Sequence, residues 1–203
     1  MSGLRFVVYS DYLCPWCYSA STRLLRLRDE LAPQLELEWR AYLLRPRPGL
    51  ARDPERFRDY TRSWLRVASE TDAPTFRTWQ GDSGPPSHSV PPHQVARAAS
   101  SFGAEAFERV HSGLLRAYFE ESRDITDRAT LAVIWEEAGL PRAELDRADD
   151  PQILKAIHEE HREAVERGIT GVPTVRIDGD DAFVMGAQPT EVYRRWFERR
   201  VDS

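Results

Sequence analysis

The sequence predicts an α/β protein whose two ends build one sheet and whose middle is helical. Residues 1–44 show a β-α-β pattern, and residues 169–203 show a β-β-α pattern. Residues 45–168 combine helical periodicity with proline-rich connections and contain no strand candidate. The chain therefore divides into a discontinuous sheet domain, residues 1–44 with 169–203, and an inserted all-helical domain, residues 45–168.

The first strand and the first helix follow one another closely. Residues 4–10 are short, β-branched and aromatic, which favours a buried strand. Proline is favoured at the first helical position, so Cys14, which stands before Pro15, is the predicted N-cap of a helix. An apolar stripe at spacings of three and four continues until Pro33 ends this helix. Alternation of apolar and charged residues over 35–41 predicts a second strand.

The middle of the chain predicts a series of helices and one long loop. Residues 55–70 form the first helix, and residues 72–92, rich in proline, form the loop. Further helical patterns cover residues 92–102, 104–119, 128–138, 142–148 and 152–167. Asp127 and Gly139 are the predicted start and stop of the helix between them.

The end of the chain returns to β-structure. Residues 174–177 and 182–185 are the predicted strands, and the polar, glycine-containing residues 178–181 join them as a hairpin. Residues 189–200 predict a final helix.

Composition and charge exclude several classes of function. The chain has 41% hydrophobic and 30% charged residues, which is ordinary for a globular protein. Its net charge of -5 gives no basis for binding nucleic acid. It contains no apolar run of about 18 residues, so we expect no membrane span. The apolar block at residues 6–9 is too short for a signal peptide, and we expect a cytoplasmic protein.

The only two cysteines lie three positions apart. A bridge between Cys14 and Cys17 would close a tiny loop and would add little stability, so chemistry explains the pair better. The positive end of a helix favours the thiolate of Cys14, which we expect to be exposed and to attack. Cys17 falls on the apolar stripe one turn later, and we expect a shielded thiol that resolves the mixed disulfide.

A zinc site is the main alternative use of this cysteine spacing. Zinc needs three or four ligands, and no second pair of cysteines exists. His158 with His161, or His88 with His93, could supply further ligands. His158 and His161 lie among charged residues, where we expect a solvated helix face. The sequence therefore favours redox chemistry and no metal.

A second motif, Gly-Val-Pro-Thr at residues 171–174, precedes a predicted strand. Pro173 removes a backbone N–H from the start of that strand. A cis Val172–Pro173 bond is one physical reason to place proline there.

Together these motifs resemble a known family. Residues 10–18, Ser-Asp-Tyr-Leu-Cys-Pro-Trp-Cys-Tyr, with the helical insertion and Gly-Val-Pro-Thr, are similar to the DsbA family of the thioredoxin superfamily. Its FrnE-like branch is the most similar, with supporting likeness at residues 116–119, 124–125 and 186–189. The resemblance covers nearly the whole chain and implies a thioredoxin-like fold.

The resemblance also implies roles for individual residues. Cys14 would be the nucleophile of a protein-disulfide oxidoreductase and Cys17 its resolving cysteine. Pro173 would be a cis-proline facing the pair, and Val172 would offer its backbone to an extended peptide. The inserted domain, residues 45–168, would form a lid over the site. Further substrate-side positions would be Pro15, Trp16 and His93. The redox-active disulfide would be the only redox group, with glutathione, protein thiols or a small molecule as partner.

This sequence departs from the branch in two places. The family's Ser-x-x-Ala-His-Arg-like segment matches residues 89–94, where His93 fits but Pro92 and Gln94 do not. The residues between the cysteines are Pro15 and Trp16, without the histidine that would aid the thiolate. We therefore expect a less extreme oxidant.

Two alternatives from other classes stay open. Kappa-class glutathione transferases and 2-hydroxychromene-2-carboxylate isomerases share this architecture, but they use a single Ser or Cys nucleophile beside glutathione, whereas a second cysteine favours dithiol chemistry. A chaperone-like binding module would expose the aromatic residues of 57–79, which are more typical of a core.

Overall fold

A computed structural model describes residues 3–49, 53–81 and 84–201. The described residues exclude both ends of the chain, residues 1–2 and 202–203. They also exclude residues 50–52 and 82–83, which lie in two of the predicted loops.

Four strands form one sheet in the order β2-β1-β3-β4. They are β1 (Leu4–Ser10), β2 (Leu35–Ala41), β3 (Thr174–Ile177) and β4 (Phe183–Met185). β2 runs parallel to β1, while β3 is antiparallel to β1 and β4 antiparallel to β3. The strands therefore come from the two ends of the chain, as the sequence predicts.

Eight α-helices accompany the sheet within the described residues. α1 (Pro15–Leu31) connects β1 to β2, and α8 (Thr190–Val201) follows β4. The helices between β2 and β3 are α2 (Pro54–Thr61), α3 (Trp64–Ala68), α4 (Val90–Ala99), α5 (Ala104–Phe119), α6 (Arg128–Glu137) and α7 (Pro151–Glu166). Two 3-10 segments, Ser100–Phe102 and Arg142–Asp149, complete this helical part.

The central strand β1 is buried between helices on both faces of the sheet, and its side chains alternate between the two faces. Phe6 and Val8 pack on one face with residues of α1 and α8. Val7 and Tyr9 pack on the other face with Ala164 of α7. Burying each of these large side chains contributes about 1.5–3 kcal/mol, which fixes the register of the strand before the cysteines.

The helical insertion has an aromatic core of its own that extends to the cysteine segment. Trp64, Trp79 and Phe119 are buried in this cluster. Tyr12 and Tyr18, on either side of the two cysteines, belong to the same cluster. The insertion therefore packs directly against the segment that carries the cysteines.

The structure differs from the sequence prediction mainly within the insertion. Residues 55–70 form two helices because the N–H groups of Arg62 and Ser63 bond three residues back. The Thr61 hydroxyl at this break accepts a bond from the N–H of Trp79, so tertiary contacts override the helical periodicity. Residues 142–149 are a 3-10 segment instead of an α-helix. None of the described helices has the length and apolar surface that a membrane crossing needs.

Candidate active site

The two cysteines lie at the N-terminus of α1. Cys14 is the N-cap with an extended backbone, and Pro15 is the first helical residue, as the sequence predicts. The Cys14 carbonyl accepts hydrogen bonds from the N–H groups of Cys17 and Tyr18 at 3.0 and 3.3 Å. The first turn of α1 therefore brings the two cysteines together at one end of the helix.

Both cysteines are free thiols, and both are buried. Cys14 is 6% exposed and Cys17 is 1% exposed. The expectation of an exposed Cys14 is wrong, because the loop before β3 lies against its thiol. The Cys14 Sγ donates to the carbonyl oxygen of Val172 at 3.5 Å. The expected order of burial, with Cys17 the more shielded, is confirmed.

Burial raises the pKa of the Cys17 thiol well above its ordinary value, because the thiolate would lose its hydration. The neighbouring Cys14 thiol acts in the same direction. Two groups oppose this rise: the backbone N–H of Asp11, which donates to Cys17 Sγ at 3.5 Å, and the hydroxyl of Ser10. Cys17 is thus protonated until a reaction step favours its thiolate.

The loop that contacts Cys14 carries the second sequence motif. The Val172–Pro173 peptide bond is cis, which confirms the sequence-based expectation. The Pro173 carbonyl accepts a hydrogen bond from the N–H of Gly186 at 2.7 Å, and this bond ties the loop to the end of β4. Its position is therefore fixed by the sheet.

Apolar side chains next to the cysteine motif and next to the cis-proline loop are partly exposed. Trp16, inside the cysteine motif, is 38% exposed, and Pro15 is half-buried. Met185 is 40% exposed, and a Cβ placed on Gly171 would lie 3.7 Å from its sulfur. The cysteine helix, through Trp16, and the end of β4 beside Gly171, through Met185, therefore present apolar surface to solvent.

His93 lies in the interior instead of on this surface. It is 8% exposed on α4, and its ring contacts the Tyr12 ring with 4.7 Å between centroids. Its Nε2 has no hydrogen-bond partner among the described residues. Burial lowers its pKa to about 3, so the ring is neutral.

A second buried histidine connects the insertion to the cysteine segment. His111 of α5 shares hydrogen bonds with the Tyr12 hydroxyl at 2.9 Å and the Ser21 hydroxyl at 2.7 Å. Burial lowers its pKa to about 3 as well. Sequence reasoning missed this residue, because the local sequence around a single histidine in a helix does not indicate which distant residues it contacts.

Sequence reasoning also missed Asp11, which is fully buried between β1 and Cys14. Its carboxylate accepts hydrogen bonds from the N–H groups of Leu13 and Leu44 at 2.7 and 2.8 Å, and from the Ser89 hydroxyl. Burial raises its pKa to about 6. The signal was present, since an Asp that caps the turn two residues later is a common turn element.

The histidines considered for a zinc site do not form a metal-binding group with the cysteines in the described parts of the chain. No group of three His, Cys, Asp or Glu side chains there is placed to hold a metal ion. His158 is exposed, as expected. The expectation for His161 is wrong: its Nδ1 accepts the N–H of Leu43 at 3.1 Å, because α7 packs against the end of β2.

A cysteine pair at the first helix of a four-stranded mixed sheet, facing a cis-proline, defines the thioredoxin class of folds. The chain belongs to the family of the DSBA-like thioredoxin domain, whose model matches residues 5–197. The predicted fold class and family resemblance are therefore confirmed, and the fold is that of thiol–disulfide oxidoreductases.

Known proteins with similar chains or folds include members with different reactions. The cytosolic disulfide reductase DsbM of Pseudomonas aeruginosa is 22% identical, with a TM-score of 0.77 over 98% of this chain and 99% of its own. A 2-hydroxychromene-2-carboxylate isomerase is 17% identical, with a TM-score of 0.69 over 97% and 96%. The protein YwbO of Bacillus subtilis is 26% identical over 196 residues, 93% of this chain and 92% of its own. At these identities the two solved structures bear on the fold alone.

Proposed function

We propose that the protein is a thiol–disulfide oxidoreductase in which Cys14 attacks and Cys17 resolves. One observation carries this proposal: Cys14 is the N-cap residue of α1, and its thiol lies 3.5 Å from the Val172 carbonyl oxygen of the cis-proline loop, with Cys17 one turn further along the helix. The helix end favours the Cys14 thiolate, which is the nucleophile of disulfide exchange.

The proposed reaction has two steps that balance electrons. The Cys14 thiolate attacks one sulfur of a substrate disulfide, forms a mixed disulfide and releases the other sulfur as a thiolate. Cys17 then loses its proton and attacks the Cys14 sulfur. A Cys14–Cys17 disulfide forms, the second substrate thiolate leaves, and two electrons have passed from the pair to the substrate. The reverse sequence oxidises a dithiol.

Substrate would bind across the apolar surface next to Cys14. Trp16 and Pro15 would contact it from the helix, and the Val172 backbone and Pro173 from the loop. The half-exposed Trp16 and Met185 support an extended peptide or another partly apolar thiol compound. The interior position of His93 supports a packing role against Tyr12 over direct contact with substrate.

We propose glutathione and protein or peptide thiols as redox partners, with no cofactor beyond the cysteine pair. DsbM, which shares this fold, has been solved with glutathione and is cytosolic, and this supports both the partner and a cytoplasmic location. A small-molecule thiol substrate also fits the proposed chemistry.

The two competing functions have less support. A 2-hydroxychromene-2-carboxylate isomerase shares the fold, but Cys17, a second thiol one turn from the nucleophile, favours dithiol chemistry. For a chaperone-like module the aromatic residues of 57–79 would need to be exposed. The largest of them, Trp64 and Trp79, are buried, and Tyr60 is the exposed exception.

Insulin reduction and equilibration with glutathione test the proposal. The wild-type protein is expected to accelerate insulin reduction by dithiothreitol and to form the intramolecular disulfide in a glutathione buffer. Cys14→Ser is expected to abolish both, because the attacking thiol is gone. Turnover retained by Cys14→Ser would reject the proposed nucleophile.

A further inference from the structure

Asp11 is a carboxyl group that the proposed reaction does not use, although it lies next to both cysteines. It is 0% exposed, and carboxylates are rarely fully buried unless they are held by partners. Three donors surround this one: the N–H groups of Leu13 and Leu44, and the Ser89 hydroxyl. Such a set fixes the side chain in one orientation.

The main chain of the same residue touches the cysteine pair. Its carbonyl accepts the N–H of Cys14 at 3.2 Å, and its N–H donates to the Sγ of Cys17 at 3.5 Å. The side chain of Asp11 therefore holds a peptide unit whose N–H points at the buried thiol.

The donors to this carboxylate come from three different segments. Leu13 is in the turn before α1, Leu44 follows β2, and Ser89 immediately precedes α4 of the insertion. Ser89 also accepts the N–H of Arg45 at 3.1 Å and donates its own N–H to the Arg45 carbonyl at 2.8 Å. Asp11 thus connects the cysteine turn to the segment after β2 and to the start of α4.

We propose that Asp11 is a positioning residue for the resolving step, holding its own N–H against the Cys17 sulfur as that sulfur becomes a thiolate. This inference rests on the proposed dithiol function. A hydrogen bond to an ionised acceptor is about twice as strong as one to a neutral acceptor, so this contact favours the thiolate over the thiol. Within the described residues, the other hydrogen bond that lowers the pKa of Cys17 is from the Ser10 hydroxyl.

The step that Asp11 assists is the second half of the exchange. Cys17 gives up its proton to solvent, and its thiolate attacks the Cys14 sulfur of the mixed disulfide. The bond between Cys14 and the substrate sulfur breaks, the Cys14–Cys17 bond forms, and the substrate leaves as a thiolate. A displaced Asp11 N–H would slow this step and leave the attack by Cys14 nearly unchanged.

A single-turnover reaction of the reduced protein with 5,5′-dithiobis(2-nitrobenzoate) separates the two steps. The first thionitrobenzoate released reports attack by Cys14, and the second reports resolution by Cys17. Asp11→Asn exchanges one accepting oxygen for an NH₂ group, which cannot accept the N–H it faces. We expect the second release to slow about tenfold or more and the first to change by less than about twofold.

Matched variants keep this test decisive. Ser89→Ala removes one donor to the carboxylate and is expected to slow the second release by about threefold, and it decides the question if Asp11→Asn does not fold. Ser10→Ala removes the other donor to Cys17 and is expected to slow the same step. Asp146→Asn, at a 91% exposed side chain, is the control and should match wild type.

The outcomes distinguish this inference from the function on which it rests. Wild-type protein that releases only one thionitrobenzoate would reject the dithiol function itself. Two normal releases in wild type, Asp11→Asn and Ser89→Ala would overturn the role of Asp11. Equal slowing of both releases would also overturn it, because the effect would then be a general loss of structure at the helix end.

Discussion

The sheet part of the molecule and the helical insertion contribute different things to the same site. The sheet part supplies the reactive groups: both cysteines on α1 and the Val172 carbonyl before β3. The insertion supplies buried groups that hold the cysteine segment, namely Ser89, which bonds to Asp11, and His111, which bonds to Tyr12. The reactive groups thus come from the sheet part and their buried support from the insertion, and both meet at one short segment, residues 11–18.

The largest effect on disulfide exchange is expected from a substitution of Cys17, one of the two reactive groups of the sheet part. Cys17→Ser keeps the attacking thiol and removes the resolving one, so a mixed disulfide with substrate should accumulate. Mass spectrometry of the protein after reaction with glutathione disulfide would detect one bound glutathione per chain. Full turnover in this variant would instead favour the single-nucleophile, glutathione-dependent alternative.

A second test concerns the stability of the insertion, through the buried His93 of α4. Burial depresses the pKa of His93 to about 3, so the folded state binds its proton less readily than the unfolded state. The stability that comes from this neutral ring is present above the unfolded pKa of about 6.5 and is lost as the pH falls toward about 3. Lowering the pH from 7 to 5 should therefore cost about 1–2 kcal/mol from this residue.

His93→Leu removes the titrating group and its unpartnered Nε2 while keeping a side chain of similar volume. The variant should be at least as stable as wild type at pH 7 and should lose less stability at pH 5. Urea unfolding at both pH values measures the difference, and His158→Leu, at an exposed histidine, is the control. Loss of exchange activity in a folded His93→Leu variant would instead favour direct contact between His93 and the substrate.

The smallest effect is expected on the exposed rim of the site. Trp16→Ala removes a 38% exposed ring beside Cys14 and should change the free energy of unfolding by less than about 1 kcal/mol. The KM for a peptide disulfide should rise by about threefold to tenfold with kcat little changed, since uniform substrate binding is lost. Trp196→Ala, on α8 and packed on Phe6, should show the opposite balance, with a larger loss of stability and no change in KM.

The same two regions differ in how far the sequence predicts them. β1, β2 and β3 match their predicted bounds to the residue, because a strand buried on one or both faces leaves a clear pattern. The long helix predicted over residues 55–70 breaks at Arg62, because contacts from Thr61 to Trp79 override local periodicity. Local pattern carries no information about such distant partners.

The residues of the site also differ in how far the sequence predicts them. Cys14, Cys17 and the cis bond before Pro173 could be predicted, because spacing and the family motif identify them. The exposure of Cys14 could not, since it depends on a loop that begins more than 150 positions later in the chain. His111 could not be predicted for the same reason, because its partners Tyr12 and Ser21 lie on other elements. For Asp11 the local turn to Leu13 could be predicted, but its contact with Leu44 could not.

Alkylation of the reduced protein tests the central assignment most directly. At about pH 6, well below the ordinary thiol pKa, iodoacetamide modifies whichever cysteine is more often a thiolate. The chain has two cysteines, so peptide mapping gives an unambiguous order. We expect that Cys14 is modified first and that Cys17 stays unmodified, because burial raises the pKa of its thiol. Modification of Cys17 before Cys14 would contradict it.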